Sequence, residues 1–151
     1  MSHALPPPVR LARLDDTPEL VELCRQLGYP QQEGVLRDRI DLLLGRPLLH
    51  RLVVAPAVED DRKLVGAIHA ALREVLESDN FVEISALVVD ERARGTGVGK
   101  EMMRAVERWA RDLGVRTVRV RTNVVRVESH AFYRHLGYRE LKQQIAFIKD
   151  V

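Results

Sequence analysis

Cysteine occurs once in the chain, at Cys24, so neither an intrachain disulfide nor a cysteine-based zinc site can form. That lone thiol falls within the apolar pattern of a helix and reads as a small buried hydrophobe, not a nucleophile. An excess of one charge is missing too: 24 Lys and Arg face 22 Asp and Glu, for a net charge of +2. Arg108, Arg111, Arg116, Arg119, Arg121 and Arg126 are interleaved with Glu107 and Asp112, and no set of stacking aromatics accompanies them in a chain that is only 5% aromatic. Nucleic acid is therefore not expected as a partner. No apolar run approaches the ~18–20 residues that span a bilayer. The first residues lack the basic start and apolar stretch of a signal peptide. A cytoplasmic protein with no membrane partner is expected.

What is present suits one globular domain: 151 residues, 46% of them hydrophobic and 30% charged. Residues 1–8 read as a flexible leader carrying a stiff run at Pro6 to Pro8, and residues 9–151 as a single domain. Val9 to Arg13 alternates like a short strand, and Asp15-Asp16-Thr17-Pro18 starts a helix, with Asp16 or Thr17 as its N-cap. Its apolar stripe is Leu20, Val21, Leu23, Cys24 and Leu27, and Gly28 ends it. A second helix runs through Val35, Leu36, Ile40, Leu43 and Leu44. Strands are expected at Leu49 to Ala55, Lys63 to Glu74 (with Gly66 as a bulge) and Phe81 to Val89. Met102, Met103, Val106, Trp109, Ala110 and Leu113 then form one helix face that Gly114 closes. A strand at Thr117 to Thr122, a short helix from Ser129 to Leu136 and a last strand at Ile145 to Ile148 complete the α/β (α+β) pattern.

The most informative stretch joins the apolar strand Leu87-Val88-Val89 to Arg94-Gly95-Thr96-Gly97-Val98-Gly99-Lys100 and a helix. Alternating glycines let backbone N–H groups curl around an anion, and the helix N-terminus adds its positive dipole end. Arg94 and Lys100 add charge there, so a diphosphate is the natural guest. A Walker loop would need Ser or Thr after Lys100, where Glu101 stands. A dinucleotide loop would need Gly-x-Gly-x-x-Gly, whereas the spacing here is Gly-x-Gly-x-Gly.

Arg94 to Gly99 resembles the Arg/Gln-x-x-Gly-x-Gly/Ala signature of the GNAT N-acetyltransferase superfamily, and the resemblance extends upstream to Leu87-Val88-Val89. Downstream, Ser129-His130-Ala131-Phe132-Tyr133-Arg134-His135-Leu136-Gly137-Tyr138 is similar to the family's Phe-Tyr segment before a glycine. The resemblance implies a mixed, mostly antiparallel central sheet of six to seven strands flanked by about four helices. Two central strands would splay into a V-shaped slot for acetyl-CoA, the cosubstrate. It further implies that pantetheine pairs with the backbone of Leu87, Val88 and Val89, with a backbone N–H near Val88 polarising the thioester carbonyl. The pyrophosphate would sit on amides from Arg94 to Lys100, that is Arg94, Gly95, Thr96, Gly97, Val98, Gly99 and Lys100. Where the family often carries an asparagine that touches pantetheine, this chain has Arg126 and Ser129, with Asn123 upstream. A homodimer is a further expectation of the family.

The implied reaction moves an acetyl group to a primary amine by direct attack in a ternary complex; the alternative is a catalytically silent acyl-CoA-binding protein of the same fold. Tyr133 matches the family tyrosine that protonates the departing thiolate, and a phenol stays protonated at neutral pH. Glu83 stands on an otherwise apolar strand, where counting by twos puts Glu83, Ser85 and Leu87 on one face. A carboxylate there costs energy without a task or partner, so Glu83 is either the base or acceptor anchor, or the partner of an arginine. His130 is a second proton-transfer candidate and His69 could face the acceptor, whereas His50 and His135 show no constellation. No ligand spacing suggests a metal. Acceptor recognition is expected from residues 28–48 and 73–82. There Glu33, Asp38, Asp41, Glu74, Glu77 and Asp79 favour a cationic acceptor, although surface solvation explains the same charges.

Overall fold

Runs of β-branched and small apolar residues pair into a sheet whose strand order follows the chain, β1-β2-β3-β4-β5. The computed structural model describes residues 8–122 and 127–151, so most of the expected leader, Asn123 and Arg126 lie outside the described residues. The chain divides into two compact units, Met1–Val120 and Arg121–Val151. The first holds β1 (Arg10–Leu11), α1 (Thr17–Leu27), α2 (Glu33–Leu44), β2 (His50–Pro56), β3 (Leu64–Arg73), β4 (Phe81–Val89), α3 (Val98–Asp112) and β5 (Val118–Val120). The second holds α4 (Val127–His135) and the residues that follow it.

The mixed architecture and the four helices agree with expectation, but the described sheet has five strands, not six or seven. Ile145 to Ile148 is not a strand. Ile145, Phe147 and Ile148 are 81%, 92% and 95% exposed, so their alternation finds no ladder among the described residues. β1 is also shorter than the alternation of residues 9–13 suggests, because only Arg10 and Leu11 pair with Val54 and Val53.

Within the first unit, helices cover both faces of the sheet. On one face α3 lays Val98, Met102, Met103, Val106, Trp109 and Ala110, all buried, against the strands. Gly66 permits that approach: a Cβ there would stand 2.7 Å from Met102 Cε and 3.1 Å from Val98 Cγ1. On the opposite face Leu20 and Leu23 of α1 and Ile40 of α2 pack with Val54 and Ala67. Arg10 locks the entry to α1. Its guanidinium donates two 2.9 Å hydrogen bonds to the buried Asp16 carboxylate and one of 3.2 Å to Asp61 in the β2–β3 turn. Asp16 stands at the N-cap of α1, but its side chain does not cap that helix; it accepts from the Arg13 amide at 2.7 Å. Burial would push this carboxyl up, but the bonds from Arg10 and Arg13 more than offset that and hold it below the usual value.

Candidate active site

β4 is the strand on which the site is built. Its pairing with β3 is interrupted once: Ile84 lies opposite Ala70 and Ala86 opposite His69, so Ser85 is an extra residue, a β-bulge. On its other side β4 pairs in parallel with β5 only through Val82, Glu83 and Ile84. From Ser85 to Val89, β4 has no β5 partner among the described residues. Leu87, Val88 and Val89 are half-buried there, an apolar strand end with an open backbone edge. This parting of β4 from β5 is the beginning of the expected slot.

β4 runs directly into the glycine loop. Asp90, 6% exposed, accepts from the Arg92 amide at 2.9 Å and from Gln26 Nε2 at 3.1 Å. Gln26 Oε1 in turn accepts from the Glu91 amide at 3.2 Å, so α1 clamps the start of the loop. The hydrogen bond from the Arg92 amide is the main influence that lowers the Asp90 carboxyl, which therefore stays ionised. Local sequence pattern does not reveal the Asp90–Gln26 clamp, because its two members are 64 residues apart. Gly95 (φ 78°) and Gly97 (φ 89°) take left-handed conformations that residues with a Cβ rarely adopt. Gly97 is the N-cap of α3 and no side chain caps that helix. Its first amides, at Val98, Gly99 and Lys100, therefore point out of the helix start without an intrahelical acceptor. Arg94, Gly95, Thr96, Gly97 and Lys100 are exposed around them. The donor set suits a diphosphate.

The bulge corrects the side-chain assignment on β4. Glu83 pairs with Ala71, Ala86 with His69 and Val88 with Ala67, so Glu83 shares its face with Ala86 and Val88; Leu87 and Ile84 point to the α3 side. A second correction concerns His50. It pairs with Ala71 from the β2 side, and its Nδ1 lies 3.1 Å from His69 Nε2. Ala71 is therefore flanked by His50 on one side and Glu83 on the other, with His69 two residues before it on the same face. All three titratable residues are half-buried. Burial and the neighbouring His50 push His69 down to about 4, and burial together with Arg46 lowers His50.

In the second unit, α4 carries Ser129, His130 and Tyr133, all half-buried. The Tyr133 ring packs edge-on with Phe132 and Tyr138, at centroid distances of 5.2 and 6.2 Å. Gly137 and Tyr138 close the helix with bonds to the carbonyls of Arg134 and Tyr133. Cys24 is half-buried and its thiol is pushed up by burial, in keeping with an inert role. Among the described residues no group of His, Cys, Asp and Glu could hold a metal ion, and no helix is long and apolar enough to cross a membrane.

Comparison with known proteins places this arrangement. The profile of the acetyltransferase (GNAT) family matches residues 15–138. The chain is 35% identical over 136 residues to N-alpha-acetyltransferase 80 of Mus musculus, covering 86% of itself and 42% of that protein. It is 29% identical over 135 residues to the aminoalkylphosphonate N-acetyltransferase of Salmonella typhimurium, covering 87% of itself and 84% of that enzyme. The chain thus spans less than half the length of the mouse protein. An aminoglycoside N-acetyltransferase solved in complex with CoA superposes with a TM-score of 0.79 at 22% identity, over 95% of this chain and 100% of that one, a likeness of fold.

Proposed function

The chain belongs to the acetyltransferase (GNAT) family, and on that premise we propose that it transfers an acetyl group from acetyl-CoA to a primary amine within a ternary complex. The observation that carries the reading is the continuity of three features: the half-exposed end of β4 beyond its β5 pairing, the Asp90-anchored turn, and the uncapped N-terminus of α3. A thioester, its pantetheine arm and a diphosphate have that order. In this reading Leu87, Val88 and Val89 hold pantetheine through their backbone, while Arg94 to Lys100 hold the pyrophosphate, with Ser129, Asn123 and Arg126 as further cofactor contacts. Residues 9–151 act as one catalytic domain.

Three things are required of the protein: a polarised carbonyl, an amine with a free lone pair, and a proton for the leaving thiolate. Tyr133 supplies the proton, since a phenol is protonated at neutral pH and can donate as charge builds on sulfur. Glu83 receives the acceptor. Curated relatives are named as an aminoalkylphosphonate N-acetyltransferase and an aminoglycoside N(6')-acetyltransferase, which supports an amine acceptor without selecting one. A homodimer in the cytoplasm completes the reading.

Calorimetric titration with acetyl-CoA, read beside the melting temperature, tests it. Micromolar binding with stabilisation is expected, and Gly97→Trp should abolish both, because a side chain at φ 89° disrupts the loop. An amine screen would follow, in which Tyr133→Phe should lower kcat by about 10²-fold. No binding at millimolar acetyl-CoA would overturn the reading. Tight binding with no turnover of any amine would leave a silent acyl-CoA binder.

A further inference from the structure

Two imidazoles in direct contact on the inner part of a sheet need an explanation that packing alone does not supply. His69 lies on β3 between Leu52 of β2 and Ala86 of β4. An apolar residue there would extend the packing of Val54 and Ala67 at no desolvation cost. Instead His69 meets His50, nitrogen to nitrogen at 3.1 Å with ring centroids 5.2 Å apart. The pair stands at one end of the sheet face that also carries Glu83, and His69 is level with Ala86, the first residue after the bulge where β4 has left β5.

We propose that the His50–His69 pair is the proton relay of the acceptor site, taking the surplus proton of a cationic amine and passing it to solvent. The proposal rests on the acetyl-transfer reading and adds to it the route by which the ammonium is made nucleophilic. The amine N–H bond breaks and its proton joins His69 Nδ1. The proton on His69 Nε2 crosses to His50 Nδ1, and His50 Nε2 releases one to water. One proton leaves the amine, one reaches solvent, and each imidazole ends neutral in its other tautomer. Glu83, on the same face, holds the ammonium before the transfer. The charge that reaches His50 is that of Arg46 in the turn after α2, and the one that reaches His69 is that of His50; Glu83 stands across Ala71 on the same face. Burial keeps His69 at about 4, so it is neutral at physiological pH and does not retain a proton it receives. A group of low proton affinity suits a relay better than a store.

The test uses the full chain and two matched primary amines: ethylamine, which is protonated at neutral pH, and 2,2,2-trifluoroethylamine, which is largely neutral. His69→Gln and His50→Gln should keep the melting temperature and the acetyl-CoA affinity of the wild type. For ethylamine their kcat/KM should fall by about 10²-fold, the usual scale of general base catalysis, and the acidic limb of its pH profile should move. For trifluoroethylamine the loss should be below about tenfold. Equal losses on both amines, or none on either, overturn the relay while leaving acetyl transfer intact. Imidazole ¹⁵N NMR reads the pair even where neither amine turns over. A neutral His69 at neutral pH, coupled to His50 through one shared proton, is expected, and a doubly protonated His69 overturns the relay. Failure of the wild type to bind acetyl-CoA would instead overturn the acetyl-transfer reading and the relay with it.

Discussion

The two faces of the sheet are finished differently. Beneath α3, Val53, Ile68, Val82 and Ile84 are all buried, and the helix meets them with an unbroken apolar stripe. On the other face the burial is graded. Val54 and Ala67 are sealed by α1 and α2, Leu52 and Val88 are half-buried, and the far end carries His50, His69 and Glu83. One face therefore supplies close packing without polar demands, which leaves the other free to carry groups whose burial is unfavourable. The division of labour follows from strand alternation: neighbouring residues such as Val82 and Glu83 serve opposite purposes because they point opposite ways. On the proposed function, it makes stability and chemistry separable by mutation.

The largest effect should come from breaking the α3 face. Met102→Ala removes a fully buried side chain and should cost about 2–5 kcal/mol, read from the urea midpoint. Gly66→Val forces a Cβ to 2.7 Å from Met102 Cε and should cost about 1–3 kcal/mol by overpacking. The two substitutions meet in one space, so the double variant should be more stable than the sum of the single losses implies. Simple additivity would mean that Gly66 is needed for something other than the approach of α3.

These two faces were unequally legible in the sequence. The stripe from Met102 to Ala110 and the stop at Gly114 identify α3 because a 3.6-residue period sustained over more than two turns has no competing reading. The glycine loop was legible for a similar reason, since its spacing excludes other phosphate loops. The polar end was not legible. Ser85 sits between Ile84 and Ala86 without disturbing the apolar run, so nothing marks it as the extra residue, and every position before it was assigned to the wrong face relative to Leu87. The His50–His69 contact depends on how β2 and β3 register around the turn at residues 57–63, which local pattern cannot reveal. Ile145 to Ile148 failed in the opposite direction: its alternation is real, but a strand exists only where a neighbour accepts its hydrogen bonds.

A smaller effect is expected at the boundary between scaffold and site. Asp90→Asn keeps the shape of the clamp but removes the charge that accepts from Arg92 and Gln26, and should cost about 1 kcal/mol at neutral pH. The Asp90 carboxyl is lowered in the folded protein. Its contribution is therefore fully present above the unfolded carboxylate pKa and fades as pH falls through the folded one. Wild type should lose this advantage over Asp90→Asn in acid, so the two melting curves should converge as pH falls below the ordinary carboxylate range. Curves that stay parallel would mean that the clamp works by shape alone.

The smallest effect on stability, and the sharpest test of the division, belongs to Glu83→Gln. Glu83 is half-buried on the graded face and has its own interactions there, so an isosteric amide should move the unfolding free energy by less than about 1 kcal/mol. Acetylation of a cationic amine should respond far more. If Glu83 holds the ammonium while the imidazole pair takes its proton, the loss should appear mainly as a raised KM, because an attraction that binds the cationic amine is removed and no proton-transfer step is. If Glu83 is itself the base, kcat should fall instead and KM should change little. A third result, a stability loss comparable to that of Met102→Ala with activity per folded molecule unchanged, would return Glu83 to the scaffold. The two faces would then differ in polarity but not in purpose.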